Sequence, residues 1–169
     1  IYDYQQLEAR RHGVRFELGT IIDASAAADL PADTFILATG STMNIPDFLP
    51  QEFVAEGLVL DLRDLMTTLR DRKIREDGRI VLFDQDHTEM TYAAALRLAQ
   101  LFSQVTIVTP RDRLASDVLL LNRQSIYQQL FDRRVEIITN AEPIDVDQLD
   151  EGRLQLRNVY NNDVTELDE

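Results

Sequence analysis

Residues 79 to 109 read Arg-Ile-Val-Leu-Phe-Asp-Gln-Asp-His-Thr-Glu-Met-Thr-Tyr-Ala-Ala-Ala-Leu-Arg-Leu-Ala-Gln-Leu-Phe-Ser-Gln-Val-Thr-Ile-Val-Thr. An apolar run, Ile80 to Phe83, is followed by a polar turn, a helical stretch from about Thr88 to Phe102, and a second apolar run, Val105 to Val108. This is the layout of a βαβ unit. A dinucleotide site on such a unit needs G-x-G-x-x-G after the first strand. The first glycine makes the tight turn, the second admits the pyrophosphate to the backbone, and the third lets helix and strand approach. Here the turn is Asp84-Gln85-Asp86-His87-Thr88-Glu89, without a glycine. Asp84 and Asp86 are expected near the helix N-terminus, where N–H groups and the helix dipole would otherwise hold a phosphate. A carboxylate in that place repels a second anion, so this is a degenerate phosphate turn and is expected not to bind.

The same alternation continues on both sides. A helix over about Val118 to Phe131 and a strand Val135 to Thr139 follow, and a helix carrying Leu62, Leu65, Met66 and Leu69 precedes, with a charged turn ending at Gly78. Strands alternating with helices imply a parallel sheet with right-handed crossovers. Leu119, Leu121, Ile126, Leu130 and Phe131 are expected to form the core face of the last helix. The tail, Arg153 to Arg157 and Val159-Tyr160 around Asn161-Asn162-Asp163 before Val164, reads as an antiparallel hairpin. Upstream, Tyr2 to Arg11 reads as a helix ended by Gly13, Val14 to Glu17 as a short strand, and Thr34 to Leu37 as a buried-type strand running into the turn Ala38-Thr39-Gly40-Ser41. Pro46 and Pro50 then mark a boundary between about residues 47 and 58.

The chain has 169 residues, 44% of them apolar and 28% charged, the proportions of an ordinary globular chain. It begins at Ile1 inside a helical pattern, as a piece of a longer protein would. No run of 18 apolar residues and no signal-peptide pattern occurs, so a cytoplasmic location without a membrane span is expected. With no cysteine, the chain supplies neither disulfides, nor thiolate ligands for zinc or iron-sulfur clusters, nor a cysteine nucleophile. Its formal net charge of −13 lacks the basic patch that nucleic acid requires.

Gly13-Val14 with its strand, then Ala38-Thr39-Gly40-Ser41 after an apolar strand with a proline shortly beyond, resembles the middle of flavoproteins with two dinucleotide-binding domains. In those an Ala-Thr-Gly turn closes the FAD half before a second nucleotide domain is inserted. The turn Asp84-x-Asp86-x-x-x-Met90 and the strand end Val105 to Thr109 resemble the trimethylamine, histamine and dimethylglycine dehydrogenase branch of the old-yellow-enzyme-like NADH:flavin oxidoreductases.

The resemblance implies a three-layer α/β Rossmann-like FAD/NAD(P)-binding fold with a parallel sheet and a C-terminal antiparallel hairpin. Residues 1–50 would be a partial FAD/ADP-type half domain and 58–169 an inserted NAD(P)-binding-like domain. Ala38, Thr39, Gly40 and Ser41 would be the ADP/FAD-side turn. The parent would be an enzyme acting on amines such as methylated amines, with FMN and a 4Fe-4S cluster in an upstream barrel and ADP or FAD in the first nucleotide domain. Its partners would be its own further domains and an electron-transfer flavoprotein. This piece would hold no cofactor and have no activity alone. Two alternatives stand beside it: a functional NAD(P)H-binding domain, as in dienoyl-CoA reductase-like enzymes, and a non-enzymatic Rossmann-like ligand-binding module.

Other residues carry simpler readings. Asp86 to Glu89 fits a capping box, with Asp86 as N-cap and Glu89 reaching back. A metal site from Asp84, Asp86, His87 and Glu89 lacks the rest of any calcium loop. Thr109 stands where NAD-dependent proteins usually place an acid, and Arg111 and Arg113 would suit a 2′-phosphate only if a pyrophosphate cradle were present. Ala93, Ala94, Ala95 and Ala99 allow close helix–sheet packing. His12 suits a helix C-terminus. Tyr127 and Tyr160 are expected to pack or to lie at the surface. No nucleophile and base pair is evident.

Overall fold

The computed structural model describes residues 2–42, 44–46 and 48–167, with Asp145 described by its backbone alone. The chain divides into two compact units, residues 1–42 and 43–169. The first holds helices α1 (Tyr2–Arg11) and α2 (Ala24–Ala28). Asp23 caps α2 by accepting from the Ala26 N–H at 2.8 Å.

Neither strand expected in this unit forms. Residues 14–17 and 34–41 are irregular, and Phe35, Ile36 and Leu37 are 51%, 88% and 88% exposed. The sequence of Thr34 to Leu37 has strand character. A strand, however, exists only when a neighbour completes its hydrogen-bond ladder, and no described segment of this unit does so.

The second unit contains α3 (Gln51–Ala55), α4 (Leu62–Thr68), β1 (Glu76–Phe83), α5 (Glu89–Leu101), β2 (Phe102–Val108), α6 (Leu120–Asp132), β3 (Glu136–Ile138), β4 (Ala141–Asp145), β5 (Leu154–Asn158) and β6 (Val164–Leu167). Strands β1, β2 and β3 form a parallel sheet in that order, with Leu82 opposite Ile107 and Ile107 opposite Ile137. Strands β4, β5 and β6 form a separate antiparallel sheet.

The parallel sheet is buried on both faces, and the two-residue period of a strand assigns each side chain to one of them. Ile80, Leu82, Val105, Ile107, Val135 and Ile137 face a core shared with α4, α5 and α6. Val81, Phe83, Val108 and Ile138 face a second core containing Val146, Leu154 and Leu156 from the antiparallel layer and Leu49 and Phe53 from around α3. The result is three layers: helices, parallel sheet, antiparallel sheet. Both crossover helices lie on one face because successive right-handed units step across the sheet in one direction.

Four elements of the second unit depart from the sequence reading, the first being α3, a short helix in a stretch read only as a proline-marked boundary. Strand β1 begins at Glu76 rather than Ile80, because its first residues pair through polar groups: the Arg79 guanidinium donates to Gln104 Oε1 at 2.8 and 3.0 Å, and the Gly78 N–H donates to Ser103 Oγ. Strand β4, which contains Pro143, was not foreseen, and it occupies an edge of its sheet, where a missing N–H is tolerated. On α6, Ile126 and Leu130 are buried as expected, but Leu119, Leu121 and Phe131 are 79%, 78% and 64% exposed. Leu119 precedes the helix, and Leu121 lies roughly 140° around the axis from Ile126.

Leu98 is fully buried in the helix-side core, so Leu98→Ala is expected to lower unfolding stability by about 2–5 kcal/mol. The same truncation at the exposed Leu121 is expected to stay within about 0.5 kcal/mol. Urea denaturation of the two variants checks the assignment of the core.

Candidate functional site

The C-terminal ends of parallel strands are where α/β sheets place ligands, and here the end of β1 leads straight into the aspartate turn. Asp84 continues the ladder, its N–H donating to the Val108 carbonyl at 2.8 Å. Its carboxylate is 1% exposed and is bound on both oxygens. Oδ1 accepts from the His87 N–H at 3.0 Å, and Oδ2 accepts from the Tyr92 hydroxyl at 2.7 Å.

The first bond closes a tight turn in which His87 takes φ = 55°. Glycine adopts this left-handed conformation at little cost and other residues rarely do. The Asp84 carboxylate therefore does with a side chain what a glycine turn does by backbone freedom. The His87 imidazole is buried, and its Nδ1 lies 3.5 Å from Asp84 Oδ2 without forming a hydrogen bond to any described residue.

Asp86 fastens Thr88 and Thr91. Its Oδ1 accepts from the Thr88 N–H at 3.0 Å and the Thr91 hydroxyl at 2.8 Å, and its Oδ2 accepts from the Thr88 hydroxyl at 3.0 Å. Partial burial raises the Asp86 pKa, but these hydrogen bonds outweigh it and leave the group below the usual carboxylate value.

The expected capping box does not form. The left-handed residue at 87 delays helical backbone until Glu89, so Thr88 is the N-cap. Glu89 instead accepts from Asn122 Nδ2 at 2.9 Å, across the gap between α5 and α6.

Tyr92 links this turn to the loop after β2. It is fully buried, and while its hydroxyl donates to Asp84, its oxygen accepts from the Ala115 N–H at 2.6 Å. Burial, then the bond to Asp84, raise its pKa, so the hydroxyl remains a donor. The neighbouring Leu114 N–H donates to the Tyr127 hydroxyl at 2.9 Å. Two tyrosines from two helices thus hold adjacent backbone amides of one loop. The sequence reading expected Tyr127 to pack or to lie at the surface and singled out no role for Tyr92. The only sign available was a tyrosine eight residues after an aspartate at a strand end.

The remaining candidates are dispersed. Arg111 pairs with Ser116 Oγ at 2.9 Å and approaches Asp117 at 3.6 Å, while Arg113 lies 3.5 Å from Asp112. Thr109 is buried and accepts from the Arg111 N–H at 3.3 Å. In the first unit Ala38, Thr39, Gly40 and Ser41 form an exposed irregular segment in which Gly40 has φ = 79°. Among the described residues no group of three or more His, Asp or Glu side chains is arranged to hold a metal ion. No helix among them is long and apolar enough to cross a membrane.

A dinucleotide-binding unit leaves backbone N–H groups free at the β1–α5 turn, and this chain engages them itself. The N–H groups of His87 and Thr88 are already taken by carboxylates, and the side chains of Asp84 and Asp86 stand where glycines would leave room.

Tyr92→Phe would strip a buried carboxylate oxygen and a buried N–H of their partner together. A loss of about 1–3 kcal/mol in urea unfolding is expected, against almost none for the exposed Tyr160→Phe. Asp86 has a lowered pKa in the folded state, so its contribution is complete above the unfolded value of about 3.9 and is lost as pH falls through the folded value. The stability gap between the protein and Asp86→Asn is therefore expected at neutral pH and should close in acid, as measured by denaturation at a series of pH values.

Comparison with known proteins rests on the fold. No family model and no curated protein sequence matches the chain. A 2-naphthoyl-CoA reductase, solved with 2-naphthoyl-CoA, aligns over 98% of this chain and 23% of its own, with a TM-score of 0.72 and 14% identity. The 6-hydroxypseudooxynicotine amine oxidase of Pseudomonas geniculata N1 aligns over 66% of this chain and 16% of its own, with a TM-score of 0.56 and 18% identity. Histamine dehydrogenase of Rhizobium sp. 4-9 aligns over 63% of this chain and 16% of its own, with a TM-score of 0.55 and 20% identity. The chain thus spans less than a quarter of the length of each, and shares with them a Rossmann-like α/β fold over the aligned residues.

Proposed function

We propose that this chain is a Rossmann-like scaffold region of a larger flavin-dependent oxidoreductase, in which the inserted nucleotide-binding-like domain no longer grips a dinucleotide. On this reading residues 1–50 belong to a partial FAD/ADP-type half domain, with Ala38 to Ser41 as its nucleotide-side turn, and 58–169 form the inserted domain. The observation that carries it is the β1–α5 turn, whose amides are bound by Asp84 and Asp86 rather than left open to a phosphate.

The likeness to 2-naphthoyl-CoA reductase over almost the whole chain supports a parent of the NADH:flavin reductase kind. The amine dehydrogenase reading draws on likenesses that cover about two thirds of the chain, 66% and 63%. In either parent FMN, the 4Fe-4S cluster and the substrate would belong to other domains, as would contact with an electron-transfer flavoprotein. The second reading, a working NAD(P)H domain, is favoured only by that whole-chain alignment with a reductase.

Isothermal titration of the purified chain with NADH and with NADPH separates the two. The scaffold reading expects no heat beyond dilution, no bound chromophore and no turnover. A saturable isotherm with micromolar affinity would sink it in favour of the second.

A further inference from the structure

Of the two histidines, His12 is exposed and His87 is 1% exposed. A neutral imidazole carries one ring N–H. With that proton on Nε2, the His87 Nδ1 turns a lone pair toward Asp84 Oδ2 at 3.5 Å. With the proton on Nδ1, the N–H is too distant and too poorly aimed to donate. Either way a buried polar atom stays unpartnered, which folded proteins rarely tolerate. A second ring proton resolves the conflict, because the imidazolium can donate from Nδ1 to Asp84 Oδ2 in a charge-assisted bond after a small movement of the ring.

That oxygen is the start of a chain of bonds. It accepts from the Tyr92 hydroxyl at 2.7 Å, and the same hydroxyl accepts from the Ala115 N–H at 2.6 Å, so the Asp84 charge polarises both. Ala115 lies in the loop after β2 with φ = 54°, and the Tyr127 hydroxyl on the Leu114 N–H is the neighbouring hold on that loop. We propose that proton uptake by His87 loosens the loop after β2: the imidazolium draws on Asp84 Oδ2, the Tyr92 hydroxyl is polarised less, and its grip on the Ala115 N–H weakens. His87 lines a cleft open to water, which gives the proton a route. The charged groups around it are Asp84 and Asp86 of its own turn, Glu89 of α5, and Asp117 of the segment before α6 with Arg111 at 3.6 Å. All but Arg111 attract an imidazolium. The inference is independent of whether the domain binds a nicotinamide.

The test is nuclear magnetic resonance of the labelled chain between about pH 5 and 8, the range in which histidines change charge. The imidazole nitrogens of His87 and the Ala115 amide proton are expected to shift with one common midpoint. Toward acid, hydrogen exchange at Ala115, corrected for its intrinsic pH dependence, is expected to speed up about fivefold relative to β2, the equivalent of one hydrogen bond's net contribution. In His87→Asn, whose asparagine also accepts a left-handed backbone, the Ala115 response should vanish. The coincidence of the two midpoints in the unaltered chain decides the matter even if that variant fails to fold. His87 nitrogens that do not change, an Ala115 amide that ignores their change or responds equally in His87→Asn, or exchange that slows toward acid would each overturn the proposal.

Discussion

Burial of the parallel sheet on both faces is the constraint on which the second unit depends. Strand β2 is central, and its apolar side chains alternate between a helix-side core at Val105 and Ile107 and an opposite core at Val108. A single-residue slip in register would exchange those sets and send each to the wrong layer. This requirement fixes the register of the strands, while right-handed crossovers put α5 and α6 on a common face. It also explains the antiparallel sheet, whose Leu154 and Leu156 close the second core.

The strand ends inherit their geometry from that packing. Because β1 and β2 stay in register up to Phe83 and Val108, Asp84 is delivered to a buried position at the sheet's edge of chemistry. A carboxylate there must be satisfied, since leaving it bare in a low-dielectric interior is costly. His87 N–H and Tyr92 hydroxyl meet that demand, and Tyr92 passes the constraint to Ala115. The result is a turn at a strand end whose His87 and Thr88 amides are engaged within the chain.

Much of the second unit was legible because its signals are local or periodic. The apolar runs at 80–83, 105–108 and 135–139 mark strands, Ala94 and Ala95 of the small-residue run are buried while Ala93 is exposed, and Asn161 to Asp163 supply the turn between β5 and β6. The capping box was not realised because it rested on spacing alone, and spacing does not reveal that His87 adopts a left-handed conformation. The first unit reads in sequence as containing strands and in structure does not, since strand character without a pairing partner leaves the backbone irregular.

The sequence by itself determined that the β1–α5 turn lacks the glycines a pyrophosphate needs, and that strands and helices alternate, because both follow from residue type and period. Only the tertiary structure decided which groups the buried Asp84 carboxylate binds. Asp84, Tyr92 and Ala115 are 8 and 23 residues apart in pairs along the chain, and nothing local predicts that they share one hydroxyl. Likewise the leucines beside α6 are apolar in any reading. Which residues of α6 reach the core depends on how the helix packs against α5 and the parallel sheet, and there Ile126 and Leu130 are buried while Leu119 to Leu121 are not.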